Sequence, residues 1–242
     1  MMIPTLILTA HGTRDPHGRA MVQRIARDVR LALPHVEVRL AYVDVQKPAV
    51  ADVLDRVAAE GRRAVVVPLL LSAGVHVHRD IAEAAEGRPG VAVADALGPD
   101  DRLARIVVDR LLEAQPEADS HLVLAPAGSS DPSSQRDARD MASRVAHLLG
   151  TRVDHGCVAG PDVSVADAVA DARRRDPDRA VTVLSYLLAP GFFQHRLEAA
   201  YPGIVTAPIG AHPALIEIVV ERYRAAAEGL GAPQPADTAG VA

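Results

Sequence analysis

The stretch Leu6-Ile7-Leu8-Thr9-Ala10-His11-Gly12-Thr13-Arg14-Asp15-Pro16 decides how the chain is read. An apolar run stops on a histidine and a glycine, and a short polar loop leads into an amphipathic stretch over residues 18–33. A run with no polar alternation belongs to a strand covered on both faces, as in a parallel sheet, and the period of the following stretch is helical. His11 is therefore expected at the carboxyl end of a parallel strand. Ligands of open α/β sheets bind at that edge, because the strand-to-helix loops open there and the next helix offers unpaired N–H groups. On this segment alone, a histidine that merely hydrogen-bonds within a turn fits equally well.

Outward from this strand the pattern alternates: helix 18–32, strand 36–43, helix 48–60, strand 63–71, helix 79–86, strand 91–94 and helix 100–114. Such alternation implies βαβ crossovers and a parallel sheet with helices on both faces. The polar, proline-marked segment 115–120 ends the last helix, and a new buried strand starts at His121. We expect an N-terminal lobe over 1–115, a C-terminal lobe over 120–229, and an unstructured tail over 230–242, where Pro, Gly, Ala and Gln lack periodicity.

The chain then repeats itself. Thr9 to Pro16 line up with Ala125 to Pro132 at an offset of 116 (127 against 11). Gly98, Leu103 and Ile106 to Arg110 match Gly210, Leu215 and Ile218 to Arg222 at an offset of 112 (210 against 98). Between them, Gly74-Val75-His76-Val77-His78-Arg79 pairs with Gly191-Phe192-Phe193-Gln194-His195-Arg196 at an offset of 117 (191 against 74). The halves differ where chemistry would sit: His11 faces Ala127, His76 faces Phe193, and Asp44 faces Ala159. All three ionisable groups belong to the carboxyl edge of the first sheet. Two imidazoles and a carboxylate there suit a divalent first-row metal with open positions, and the asymmetry points to a single site in the first half.

The motif His-Gly-Thr-Arg-Asp-Pro after a strand, the acid at the end of the second strand followed by Lys47-Pro48, and Pro-Leu-Leu-Leu-Ser-Ala-Gly-Val-His-Val-His-Arg-Asp-Ile at 68–81 resemble the sirohydrochlorin chelatases, the class II chelatases. The resemblance covers roughly residues 3–228 and is to the long two-domain form. It implies two similar α/β lobes with a tetrapyrrole in the cleft between them. It also implies insertion of a divalent metal into sirohydrochlorin, Fe²⁺ for sirohaem or Co²⁺ for the cobalamin route, with Fe²⁺ the expected ion. By position, His11 and His76 would carry the metal and proton chemistry. Asp44 stands where the family commonly has Glu, one methylene longer. Gly12, Thr13, Arg14, Ser72, Ala73, Gly74, Arg79, Phe192 and Phe193 are the expected substrate contacts, and Arg136 is a further candidate for a rim carboxylate.

No resident cofactor is expected, the metal being substrate. With 26 Lys and Arg against 31 Asp and Glu the net charge is -5, which gives no general attraction to nucleic acid or membrane lipid. One cysteine, Cys157, excludes an internal disulfide, reads as a small buried hydrophobe and fits the cytoplasm. The absence of Trp and the presence of only two Phe and four Tyr argue against a nucleotide-stacking platform. His78 and its counterpart His195 are read as structural or peripheral. His17, His35, His121, His147, His155 and His212 are read as surface or helix-end residues. The chain is expected as a monomer or homodimer. Two other functions remain: a non-catalytic tetrapyrrole or metal carrier, and a phosphatase using His11 as nucleophile, which Ala10 disfavours by standing where an arginine for phosphoryl oxygens would be wanted.

Overall fold

The computed structural model describes residues 3–72 and 75–231, excepting the side chains of 75–78 and 231. Two four-stranded parallel sheets form two lobes. The first contains β1 (Thr5–Ala10), β2 (Val38–Tyr42), β3 (Ala64–Pro68) and β4 (Val91–Val93), in the order β2-β1-β3-β4. The second contains β5 (His121–Pro126), β6 (Val153–His155), β7 (Val181–Tyr186) and β8 (Ile204–Val205), in the equivalent order β6-β5-β7-β8. The helices between them are α1 (Pro16–Ala32), α2 (Val50–Ala59), α3 (Val75–Ala85), α4 (Asp101–Ala114), α5 (Pro132–Leu149), α6 (Val165–Arg175), α7 (Phe192–Ala200) and α8 (Pro213–Gly231).

Strand alternation sorts the core into layers. On β1, Leu6, Leu8 and Ala10 face a central core while Ile7 faces an outer one, and on β5, Leu122 and Leu124 divide from Val123 and Ala125 in the same way. The outer cores lie under α2 and α3 in one lobe and under α6 and α7 in the other. The repeat is exact in the buried faces of the inner helices. Val22, Ile25, Ala26 and Val29 of α1 recur as Ala138, Met141, Ala142 and Val145 of α5, and Leu103, Ala104, Ile106, Val107 and Leu111 of α4 recur as Leu215, Ile216, Ile218, Val219 and Tyr223 of α8. Each set follows the i, i+3, i+4 spacing of one buried stripe.

The terminal helix of each half crosses to the other lobe. Helix α4 packs on α5 and β7, and α8 packs on α1, β3 and β4. Polar ties fix the exchange: Arg110 Nε and Nη2 donate to the carbonyls of Pro208 and Ile209, Arg222 Nε donates to Ala96 O at 3.0 Å, and the Tyr223 hydroxyl donates to Pro4 O at 2.7 Å. One apolar core therefore runs through both lobes. The sheets divide where the sequence divides, near 115–120, but the helices do not.

Element ends follow local chemistry. Asp15 caps α1 by accepting from His17 N–H and Gly18 N–H, with Pro16 in the first turn, so this helix begins two residues before the expected 18. Helix α3 begins at Val75 rather than 79, since the sequence has no proline or glycine at 75–78 to break it, and this places His76 in its first turn. Helix α8 runs to Gly231, and the rest of the expected tail lies outside the described residues. Among the described residues, no helix is long and apolar enough to cross a membrane.

Candidate functional site

The loops at the carboxyl edges of the two sheets meet. Ser72 after β3 hydrogen-bonds Ser134 of α5, oxygen to oxygen at 2.9 Å. At the equivalent place on the other side, a methyl group on Gly18 would stand 2.6 Å from Pro190 O and 2.9 Å from Thr13 Cγ2, so the backbone before α7 rests against the start of α1. His195 Nδ1 lies 3.7 Å from Asp15 Oδ2, joining α7 of the second lobe to the cap of α1 in the first. The Asp15 carboxyl is held below the usual carboxylate range by the N–H groups of Gly18 and His17, with His195 contributing. The Tyr186 hydroxyl donates to Leu71 O at 2.9 Å, and burial raises its pKa well above the ordinary phenol value.

Within this meeting line, the first-lobe loop is built by the backbone. Gly12 has φ +100°, and a Cβ there would collide with the carbonyl oxygen of Asp44. Val43 N–H donates to Ala10 O at 3.0 Å and Asp44 N–H to His11 O at 2.9 Å, which carries the β1–β2 pairing past the strand ends. Gln46 Oε1 accepts Thr13 N–H at 2.9 Å, and Thr13 Oγ1 accepts Asp15 N–H at 3.1 Å. Asp44 Oδ1 accepts Val45 N–H at 2.7 Å, which orients the carboxylate. His11 and Asp44 are both exposed, adjacent and open to a ligand.

The second lobe repeats this geometry without the chemistry. Gly128 has φ +91°, a Cβ there would collide with Ala159 O, and Ala159 N–H donates to Ala127 O at 2.9 Å. Asp131 N–H donates to Ser129 Oγ at 3.1 Å, as Asp15 N–H does to Thr13. No side chain at Ala127 or Ala159 replaces the imidazole and carboxylate.

The other expected residues are placed as follows. His76 lies in the first turn of α3, at the same edge, with its side chain outside the described set, and Ala73 and Gly74 are also outside it. Among the described residues no group of three or more metal-binding side chains is gathered. Arg14 and Arg136 are exposed. Arg79 is exposed and donates to Glu83 at 2.6 Å, a pairing that raises its pKa. Phe192 and Phe193 are 70% and 39% exposed and meet edge to face at 5.6 Å between ring centres. Cys157 is buried, and burial raises its thiol pKa. His121 at the start of β5 and His155 at the end of β6 are half-buried, each with a covered Nε2 that has no hydrogen-bond partner among the described residues, that of His155 lying 3.8 Å from Asp162 Oδ2. The His195 contact with Asp15 was not signalled by any local motif, because it is made between lobes.

A family model described as CbiX matches residues 5–114 and again residues 121–226. The chain belongs to the CbiX family. The doubled match follows the two sheets of this CbiX protein. A sirohydrochlorin ferrochelatase of Priestia megaterium is 25% identical over 209 residues, covering 80% of this chain and 76% of its own length. A sirohydrochlorin cobaltochelatase of Methanopyrus kandleri is 29% identical over 136 residues, covering 45% of this chain but 95% of its own length. Among solved structures, SirB from Bacillus subtilis with Fe³⁺ shares the fold at a TM-score of 0.78 and 21% identity, covering 95% of this chain and 98% of its own.

Proposed function

We propose that this CbiX protein inserts a divalent metal, Fe²⁺ in preference to Co²⁺, into sirohydrochlorin, using one site on the first lobe. The observation that carries the reading is the pair of matching loops: the backbone of 11–15 is repeated at 127–131, yet only the first copy carries a histidine and an adjacent acid. The relatives named for sirohydrochlorin metallation supply the substrate class.

Metallation requires two pyrrolic N–H protons to leave as the cation enters. Imidazole both donates a lone pair and accepts a proton near neutral pH, and this is the part given to His11 and His76. Asp44, one of its oxygens engaged by Val45 N–H, lends negative charge beside His11 and helps orient the incoming ion. Thr13, Arg14 and Arg79, with the 72–74 segment, take the peripheral carboxylates of the macrocycle, Arg14 with a bidentate fork. Gly12 lets the Asp44 backbone close against the loop, which sets the carboxylate beside His11. Phe192 and Phe193 offer the ring system apolar area from the second lobe. The metal is a substrate, and the protein chemistry needs no resident cofactor.

Anaerobic rates with purified sirohydrochlorin and Fe²⁺, Co²⁺ or Ni²⁺ test this. Turnover fastest with Fe²⁺ supports the full reading. Stoichiometric binding of the macrocycle without turnover would instead make the protein a carrier.

A further inference from the structure

Val45 has φ +62°, in the left-handed region, where a β-branched side chain is strongly disfavoured. The chain needs this conformation to turn from β2 toward α2, and the second lobe meets the same need with Gly160, at φ +96° and an offset of 115 (160 against 45). The first lobe has kept a valine where glycine is conformationally free. The fold gains nothing visible from it: the side chain is 44% exposed and belongs to none of the three apolar cores. The turn is nevertheless firmly held, by Val45 N–H to Asp44 Oδ1, by Gln46 N–H to Asp44 O at 2.6 Å, and by Thr13 N–H to Gln46 Oε1. The second lobe has Pro161 in place of Gln46, which has no amide side chain to make the last of these ties. An apolar group, 44% exposed, is thus held beside the carboxylate of the one lobe that carries the ionisable residues.

We infer that the Val45 isopropyl group is a substrate contact: it packs against the apolar ring face of the tetrapyrrole and seats the macrocycle over the His11–Asp44 edge. The inference rests on the sirohydrochlorin reading above. Strain at an exposed position persists where a ligand uses the side chain, and here the internal repeat supplies the unstrained alternative in the same molecule. The Gln46 amide ties the 44–46 turn to the loop that carries His11.

The test is fluorescence-quench titration of the full chain with metal-free sirohydrochlorin, alongside thermal unfolding. Val45→Gly keeps the turn and removes the side chain. It should weaken binding on the order of 3- to 10-fold, the range expected for losing one partly buried valine contact, while the unfolding temperature stays level or rises. Val45→Asn, tolerant of the same backbone but polar, should bind as weakly as Val45→Gly, and Val45→Leu should restore affinity. Unaltered affinity in Val45→Gly, with wild-type protein binding normally, overturns the inference alone. Absence of binding by wild-type protein overturns the sirohydrochlorin reading, and the inference with it.

Discussion

The backbone N–H of Asp44 donates to the carbonyl of His11 at 2.9 Å. The acid and the histidine are therefore held side by side by main chain, with Gly12 between them because any larger residue would meet Asp44 O. The same seam joins Ala159 to Ala127, where neither side chain has any chemistry to place.

This duplication separates stability from function. Gly12→Ala and Gly128→Ala each force a side chain into a left-handed conformation and against a carbonyl, and each should cost about 2–4 kcal/mol. Urea unfolding should show similar losses for both. Only Gly12→Ala should also slow metallation per folded molecule, on the order of 10²-fold, because it moves His11 relative to Asp44. Equal rates in the two folded variants would detach the first seam from the chemistry.

Asp44 has one carboxylate oxygen committed to Val45 N–H. We expect Asp44→Asn, which keeps that acceptor and removes the charge, to lower the rate by about 10–100-fold, the usual range for a group that orients or supports a metal ligand. Asp44→Glu should recover part of it by reaching further. An Asp44→Asn enzyme with unchanged rate and metal dependence would remove the carboxylate from the mechanism.

Much of this was legible in the sequence, for identifiable reasons. Parallel strands buried on both faces write themselves as unbroken apolar runs such as Leu6 to Leu8, whereas the sequence pattern places the start of α1 at Asp15-Pro16 two residues late, because the polar loop runs straight into the cap. The repeat in the sequence became a repeat of sheet order and of helix faces. The exchange of α4 and α8 was not legible, because an amphipathic stripe states that one face is buried and says nothing of which sheet buries it. The positive φ of Val45 was hidden for a similar reason: valine is the last residue type to signal it. The contact of His195 with Asp15 spans 180 positions and two lobes, beyond any local pattern.

The exposed aromatic pair gives a third expectation. Phe193→Ala should weaken sirohydrochlorin binding on the order of 10-fold while leaving metal affinity nearly unchanged, since the ring offers area and no donor atom. Phe193→His should not create a second metal site, because Ala127 and Ala159 supply no partners for it. Quench titration with macrocycle, run beside metal titration, reads both. Unaltered tetrapyrrole affinity in Phe193→Ala would place the apolar wall elsewhere.

The central claim is that one lobe does the chemistry and the other is catalytically silent. The most direct measurement is the anaerobic initial rate of metal insertion into sirohydrochlorin, followed by macrocycle absorbance, in His11→Ala, His76→Ala and, as the second-lobe control, His195→Ala, which stands opposite His78 in the repeat. The account predicts losses on the order of 10²-fold or more in each of the first two, with unfolding transitions like those of the wild type, and a rate within about threefold of wild type in the last. Near-normal rates in His11→Ala and His76→Ala would contradict it.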